Sequence, residues 1–161
     1  MIFMSQKTIS RWLKFIIIVM GLLAFAILSA LSLIFLVSEV PEISAIKVPW
    51  LAFIWSTAIP LIPALMYSWF TAKDIGKGNA FCLNNARRLH GIALCAGADA
   101  GWVLAGNILL GCMGPGMNHP LVFIFSLVVV CIGAAIAICA EGLSQLIKSA
   151  AALQEQSDLT I

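Results

Sequence analysis

Four long runs of apolar residues, separated by more polar segments, dominate the pattern along this chain. They cover about residues 15–37, 48–72, 91–113 and 121–140. A helix that crosses a bilayer needs about 20 apolar residues, and each run is long enough. The pattern therefore predicts one all-α membrane domain over residues 1–161, folded as a bundle of four spanning helices.

The basic residues indicate how the spans are oriented. Most of them lie in two segments, one before the first run (Lys7, Arg11 and Lys14) and one between the second and third runs (Lys73, Lys77, Arg87 and Arg88). Lys and Arg are enriched in the cytoplasmic loops of membrane proteins. Both termini are therefore expected in the cytoplasm, and we call the end of the spans that carries these residues the inner end.

Two segments at the inner end are predicted to be helices outside the membrane. Residues 73–90 combine apolar side chains with the pair Arg87 and Arg88, which is typical of a short helix lying on the membrane surface, and Gly76-Lys77-Gly78-Asn79 is expected to form the turn before it. After the fourth run, apolar residues recur at helical spacing over 141–161, with polar residues on the opposite face. This spacing predicts an amphipathic cytoplasmic helix at the C-terminus.

Composition and cysteine spacing argue against several classes of function. Hydrophobic residues make up 62% of the chain and charged residues only 10%, whereas soluble domains carry about 25%. The five cysteines include no CxxC pair, which argues against a disulfide framework, a zinc site and disulfide exchange. No HExxH motif, phosphate-binding loop or nucleophile–base pair occurs. We therefore expect a non-enzymatic protein without a metal or cofactor, and no direct nucleic-acid binding.

Asp99 is the one acidic or basic residue well inside an apolar run. At 1.5 Å per residue it lies roughly 12 Å from the inner edge of the third span, at the depth expected for Pro63 in the second. Tyr67 is expected one turn nearer the inner end. Pro60 and Pro63 leave carbonyls of the second span without an amide partner, which favours a small polar cavity near Asp99.

Two interpretations of Asp99 remain open. Ionisable residues at bilayer depth are costly and are commonly functional, so Asp99, Pro63 and Tyr67 are candidates for a site that responds to protons or to a ligand. Alternatively, a protonated Asp99 donates one hydrogen bond to neighbouring backbone and holds the spans together, as polar side chains in membrane helices often do.

Small residues recur at intervals of four along the third run, at Ala93, Gly97, Gly101 and Ala105. Such a stripe permits the close approach of another helix. The neighbour is expected to be another span of the same chain or, through Gly97 and Gly101, a second copy in a homodimer.

The polar segments also carry a set of residues with a recognisable pattern. These are Ile75-Gly76-Lys77-Gly78-Asn79-Ala80-Phe81, Asn84-Asn85, Arg88-Leu89, Leu153-Gln154-Glu155-Gln156 and Asp158-Leu159-Thr160-Ile161. Together with the span layout, they resemble the YoaS-like family of small four-span bacterial membrane proteins, a domain of unknown function. The resemblance implies location in the bacterial cytoplasmic membrane. It also implies a small helix-turn-helix regulator as a partner on the cytoplasmic side.

These observations favour a non-enzymatic membrane component of a regulatory or stress-response system, with the lipid bilayer as its other partner. The residues expected to contact the cytoplasmic regulator are Phe81, Arg87, Arg88, Leu89, Leu153, Asp158, Leu159 and Ile161. The alternative is a small exporter of lipophilic cations in which Asp99 exchanges a proton for substrate.

Overall fold

The chain is helical throughout the residues that the computed structural model describes, which are 6–37, 47–113 and 120–158. Five helices cover these ranges almost entirely: α1 (Gln6–Val37), α2 (Lys47–Ser56), α3 (Ala58–Gly76), α4 (Leu83–Met113) and α5 (Pro120–Asp158). A turn over residues 77–82 separates α3 from α4. No strand occurs within these ranges.

Within the described ranges, four helical stretches are long and apolar enough to cross a membrane. They are Gln6–Ile34, Val48–Gly76, Leu83–Leu109 and Phe123–Gln154, and each overlaps one of the predicted apolar runs. Large apolar side chains remain exposed along all of them, among them Leu22, Ile62, Leu109 and Ile138. Such exposure suits a lipid environment. The prediction of an all-α membrane fold with four spans is confirmed.

The second span is divided between α2 and α3 at Thr57, three residues before Pro60. Pro60 has no amide hydrogen to donate to the carbonyl of Ser56, so the helix loses a hydrogen bond there. Two hydroxyls bond to carbonyls just before the break: Ser56 Oγ donates to Phe53 O at 2.6 Å, and Thr57 Oγ1 donates to Ile54 O at 2.7 Å. Pro63 lies inside α3 without ending it.

Both segments predicted as extra helices are helical, but neither is a separate element. Residues 73–76 complete α3, and residues 83–90 are the first two turns of α4, which continues into the third span. The turn expected at 76–79 is found, at residues 77–82, whereas the interfacial helix expected after it is the beginning of α4 and not a separate helix. The C-terminal extension is likewise the continuation of the fourth span within α5, up to Asp158.

The helices pack in the order of the chain. The most extensive contact joins α4 and α5, followed by α3 with α4 and α1 with α3, while α2 touches α1 and α3. The most deeply buried residues, at 2% exposure or less, are Ala72, Asn85, Ala86 and Ser144. All four lie at the inner end, so the deepest burial in the described part of the chain is there.

Candidate functional site

The first helix is attached to the third by a serine at the inner end. Ser10 Oγ donates a hydrogen bond of 2.6 Å to the carbonyl of Ala72, and both residues are buried. Gly76, one turn further along α3, faces the same serine: a Cβ placed there would lie 2.6 Å from Ser10 Oγ. Only glycine permits this approach, because such a separation is well inside van der Waals contact.

The turn between α3 and α4 is fixed by backbone hydrogen bonds. The amides of Lys77 and Asn79 both donate to the carbonyl of Asp74, and the amide of Gly78 donates to Ile75, each at 3.1 Å. Gly78 has φ +86°, a left-handed conformation that favours glycine. The turn thus satisfies two of the carbonyls that the end of α3 leaves open, those of Asp74 and Ile75.

Asn85 holds the other side of the turn. Its side chain is fully buried, and Nδ2 donates to the carbonyls of Asn79 at 3.0 Å and Ala80 at 3.1 Å. The backbone carbonyl of Cys82 accepts from the amides of Asn85 and Ala86, so α4 begins directly after Cys82. One asparagine therefore connects the start of α4 to the middle of the turn.

An ion pair completes this connection. Arg88 Nη1 lies 2.5 Å from Asp74 Oδ2 and donates to Asn85 Oδ1 at 3.1 Å. The guanidinium also lies over the ring of Phe70, 5.5 Å from its centroid, a favourable cation–π geometry. Arg88, predicted as a contact residue for a partner, is thus already bonded within the chain, whereas its neighbour Arg87 is exposed.

The fifth helix joins this cluster through a second buried serine. Ser144 is fully buried, and its Oγ donates to the carbonyl of Ala86 at 2.7 Å. We define the inner cluster as Ser10, Asp74, Asn85, Arg88 and Ser144. Its hydrogen bonds link α1 to α3, α3 to α4, and α4 to α5, so every spanning segment takes part.

The inner cluster presents apolar and basic side chains at its surface. Phe81, in the turn, is 62% exposed, and Leu83 is 50% exposed; Leu89 is only partly exposed. Leu153 on the extension of α5 is 67% exposed. Asp158 is the last residue of α5, whereas the predicted contact residues Leu159 and Ile161 lie outside the described residues.

The surroundings of Asp99 follow from the contacts between α3 and α4. The ring of Tyr67 packs against Gly91, and Trp102 Nε1 donates to Ser56 Oγ at 2.7 Å. Asp99 lies between these two contacts along α4, eight residues after Gly91 and three before Trp102. At 1.5 Å per residue, Tyr67 therefore contacts α4 about 12 Å from Asp99, so the structure does not bring these two residues together. The pairing of Pro63 with Asp99 stays a prediction.

Asp99 itself is incompletely hydrogen-bonded. Its Oδ1 is buried and, within the part of the chain that is described, has no hydrogen-bond partner; Thr71 Oγ1 is the other buried side-chain atom in this condition. On the adjacent side, Gly133 of α5 approaches Ala100 closely, since a Cβ on Gly133 would lie 3.0 Å from that of Ala100. The carboxyl group thus lies beside a tight contact between α4 and α5.

The stripe of small residues on α4 meets α5 at only one of its two glycines. A Cβ on Gly97 would lie 3.9 Å from Ala137 of α5, so this position belongs to a contact within the chain. A Cβ on Gly101 would meet no atom within 4 Å. Among the described residues, no three His, Cys, Asp or Glu side chains converge on a point where they could hold a metal.

Comparison with known proteins places the chain in a family. Residues 31–161 match the family described as "Protein of unknown function (DUF2975)". The chain belongs to this family. It is also 29% identical, over 121 residues, to the "Uncharacterized membrane protein YoaS" of Bacillus subtilis (strain 168), an alignment that covers 75% of this chain and 76% of that protein. No solved structure matches the chain.

The match to DUF2975 includes most of the inner cluster. Asp74, Asn85, Arg88 and Ser144 lie within residues 31–161, whereas Ser10 lies before them. The resemblance to the YoaS-like family, which included the residues Asn84-Asn85 and Arg88-Leu89, is confirmed. The prediction of a multi-pass membrane protein is confirmed as well.

Sequence reasoning missed the structural roles of Ser10, Asn85 and Ser144. Each is a common polar residue near the end of an apolar run, and nothing in its spacing shows that it is buried. One signal was available for the ion pair: Asp74 and Arg88 carry opposite charges on either side of a short glycine-containing turn. Such a pair closes a turn between two antiparallel helices readily.

Proposed function

We propose that this DUF2975 protein is a non-enzymatic membrane component of a regulatory or stress-response system. In this proposal it lies in the bacterial cytoplasmic membrane with both termini in the cytoplasm. Its inner end binds a small cytoplasmic regulator of the helix-turn-helix class and holds it at the membrane.

The observation that carries the proposal is the exposure of Phe81 on an immobilised turn. A large aromatic side chain, 62% exposed, projects from a segment whose backbone is bonded to Asp74, Ile75 and Asn85. Aromatic side chains are enriched in protein interfaces and often dominate their binding energy. A turn already held in one conformation also loses little entropy when a partner binds.

The tail supplies the second part of the proposed surface. Because α5 continues without a break from the span to Asp158, and because Ser144 fixes it to α4, the extension has a defined direction. Leu153 is 67% exposed on this extension. In the proposal, Leu153, Asp158, Leu159 and Ile161 contact the regulator together with Phe81, Arg87 and the less exposed Leu89.

Photo-crosslinking in native cells tests the proposed docking. A photoreactive phenylalanine analogue at position 81 is expected to give one protein adduct, identified by mass spectrometry as a soluble protein with a helix-turn-helix domain. Truncation after Gln154 is expected to reduce this adduct strongly without changing membrane insertion. The matched control is Phe125 on α5, which is 65% exposed but lies toward the other end of its helix, and which should crosslink only to lipid.

Two results would contradict the docking proposal. One is the absence of any helix-turn-helix protein among the adducts of position 81. The other is the same adduct, in similar yield, from position 125, because exposure alone would then explain capture.

The orientation has its own test, which uses two native cysteines. Cys82 precedes α4 and Cys112 lies near its other end. In variants that keep one of these cysteines, a thiol reagent that cannot cross membranes should label Cys112 in spheroplasts and Cys82 in inverted vesicles. The reverse pattern would place the inner end outside the cell and exclude a cytoplasmic partner.

A proton-coupled exporter of lipophilic cations is a second candidate, favoured by the buried Oδ1 of Asp99, which bonds to no residue in the described ranges. Ionisable groups within spans often serve in proton relays of transporters. In vesicles with an imposed pH gradient, Asp99→Asn should then abolish ethidium efflux, while Asp158→Asn, which removes the same charge at the end of α5, should retain it. Undiminished efflux in Asp99→Asn, or none in the wild type, would exclude this function.

A further inference from the structure

A groove runs between α4 and α5 on the side of the molecule that carries His90. Its volume is about 570 Å³, within the roughly 300–1,000 Å³ that is usual for ligand sites. The residues that define it are His90, Leu94, Ile138, Glu141, Gly142 and Gln145. The groove therefore has a polar end, made by His90, Glu141 and Gln145, and an apolar part beside it.

The polar end contains one acid and one base in direct contact. His90 Nδ1 and Glu141 Oε2 are 2.6 Å apart, and Gln145 Nε2 donates to Glu141 Oε1 at 3.3 Å. The His90 and Glu141 side chains are 48% and 35% exposed, so both remain accessible. The second ring nitrogen of His90, Nε2, makes no hydrogen bond to any residue in the described ranges.

The position of this pair along the helices corresponds to the level of lipid headgroups. His90 directly precedes the apolar run 91–113, and Glu141 directly follows the run 121–140. From there the groove extends along the spans past Leu94 and Ile138, which are 61% and 73% exposed. A molecule that fits both parts has a charged head and an acyl chain.

We propose that this groove binds a phospholipid with an ethanolamine headgroup. In a protonated His90 ring, the Nε2 hydrogen is available to the lipid phosphate, while Glu141 accepts a hydrogen bond from the primary ammonium. A headgroup that carries only negative charge is disfavoured, because it would lie beside the Glu141 carboxylate and like charges repel each other. A choline headgroup has no N–H to donate, so it cannot replace ethanolamine at Glu141.

Native mass spectrometry of the full chain tests the proposal, with the protein equilibrated in detergent with phosphatidylethanolamine or phosphatidylcholine of identical acyl chains. The wild type is expected to retain one molecule of the ethanolamine lipid about tenfold more tightly than the choline lipid, as the loss of one charge-assisted hydrogen bond implies. Glycerophosphoethanolamine, which lacks the acyl chains, should not displace it. Displacement by this soluble headgroup would exclude the apolar part of the proposed site.

Gly142→Leu blocks the groove with little risk to the fold. A Cβ at Gly142 meets no atom within 4 Å, so the leucine extends into the open groove and should remove the retained lipid. The control is Ala135→Leu, at an exposed alanine of the same helix that does not line the groove, and it should bind lipid like the wild type.

Glu141→Gln tests headgroup recognition alone, because it removes the charge and leaves the size of the groove nearly unchanged. It should bring the two lipids to similar affinity, because the charge that attracts the ammonium is lost. Equal retention of both lipids by the wild type, or unchanged preference in both Gly142→Leu and Glu141→Gln, would overturn the proposal.

Discussion

Asp74 and Asp99 lie on neighbouring helices of one small protein in opposite surroundings. Asp74, at the inner end of α3, bonds to Arg88 through its side chain and accepts two backbone amides of the following turn through its carbonyl. Asp99, in the middle of α4, has a buried Oδ1 without a partner in the described part of the chain. One carboxyl group bonds to a neighbouring helix, whereas the other has a buried oxygen that bonds to none of the described residues.

The difference shows that the spans are joined in two ways. At the inner end, buried polar side chains bond to backbone carbonyls of the next helix, as Ser10 and Ser144 do. Near Asp99, α4 and α5 meet through small residues, such as Gly133 and Ala100, and the hydrogen bond from α4 to the second span there, Trp102 to Ser56, joins two side chains. Lipid cannot replace a lost polar contact with a hydrogen bond of its own, so variants at the inner end should be the more costly.

The largest effect is expected for Asn85→Ala. The change leaves two turn carbonyls without their donor and removes an acceptor from Arg88. At about 1 kcal/mol for each lost bond, the free energy of unfolding should fall by about 3 kcal/mol. Unfolding in SDS from mild detergent measures this loss.

The neighbouring Asn84 is exposed, which makes Asn84→Ala the matched control, with an expected change within about 0.5 kcal/mol. Equal stability of the two alanine variants would show that the hydrogen bonds of Asn85 do not stabilise the inner end.

A smaller effect is expected for Gly76→Ala. This substitution compares a glycine in close contact with another helix, Gly76, with one that has no atom beside it, Gly101. The added methyl group would lie 2.6 Å from Ser10 Oγ, and such overpacking costs about 1–3 kcal/mol. Gly101→Ala adds the same methyl group where it meets nothing within 4 Å, so it should raise helix stability by up to about 1 kcal/mol. Thermal unfolding in detergent compares the two, and a stability loss at Gly101 would indicate instead that a second copy packs there.

The smallest effect on stability is expected for Asp99→Asn. Since no described residue bonds to Oδ1, the substitution breaks no known contact and should change the free energy of unfolding by less than about 0.5 kcal/mol. The same SDS unfolding experiment decides this. A loss of about 2 kcal/mol or more would mean that Asp99 is structural and would favour the interpretation in which it holds the spans together.

Much of the fold could be predicted because hydropathy alone identifies a spanning helix. The four runs gave the spans, and Pro60 explains the break at Thr57. The neighbours of Asp99 could be predicted less well, because counting residues from the edges of two runs assumes that both edges lie at one level. Tyr67, expected one turn from the depth of Asp99, packs against Gly91, eight residues away along α4.

The inner cluster could be predicted only in part, because burial of a polar residue depends on what packs over it. Asn84 and Asn85 are identical in type and adjacent in sequence, yet one is exposed and the other fully buried. Likewise, Arg87 and Arg88 were both predicted to contact a partner, but the structure directs Arg88 to Asp74. The rotation of α4 about its axis decides which member of each pair faces inward. That rotation depends on the residue at which the turn ends and α4 begins.

Hydrogen–deuterium exchange of the turn tests most directly whether the inner end presents Phe81 from a fixed structure. The amides of Lys77, Gly78 and Asn79 donate to carbonyls of α3, so in the wild type they should exchange at least about 100-fold more slowly than in an unstructured chain. Asn85→Ala should remove most of this protection, and Asn84→Ala should not. Exchange at the unstructured rate in the wild type would contradict the account, because the turn would then have no fixed conformation to present.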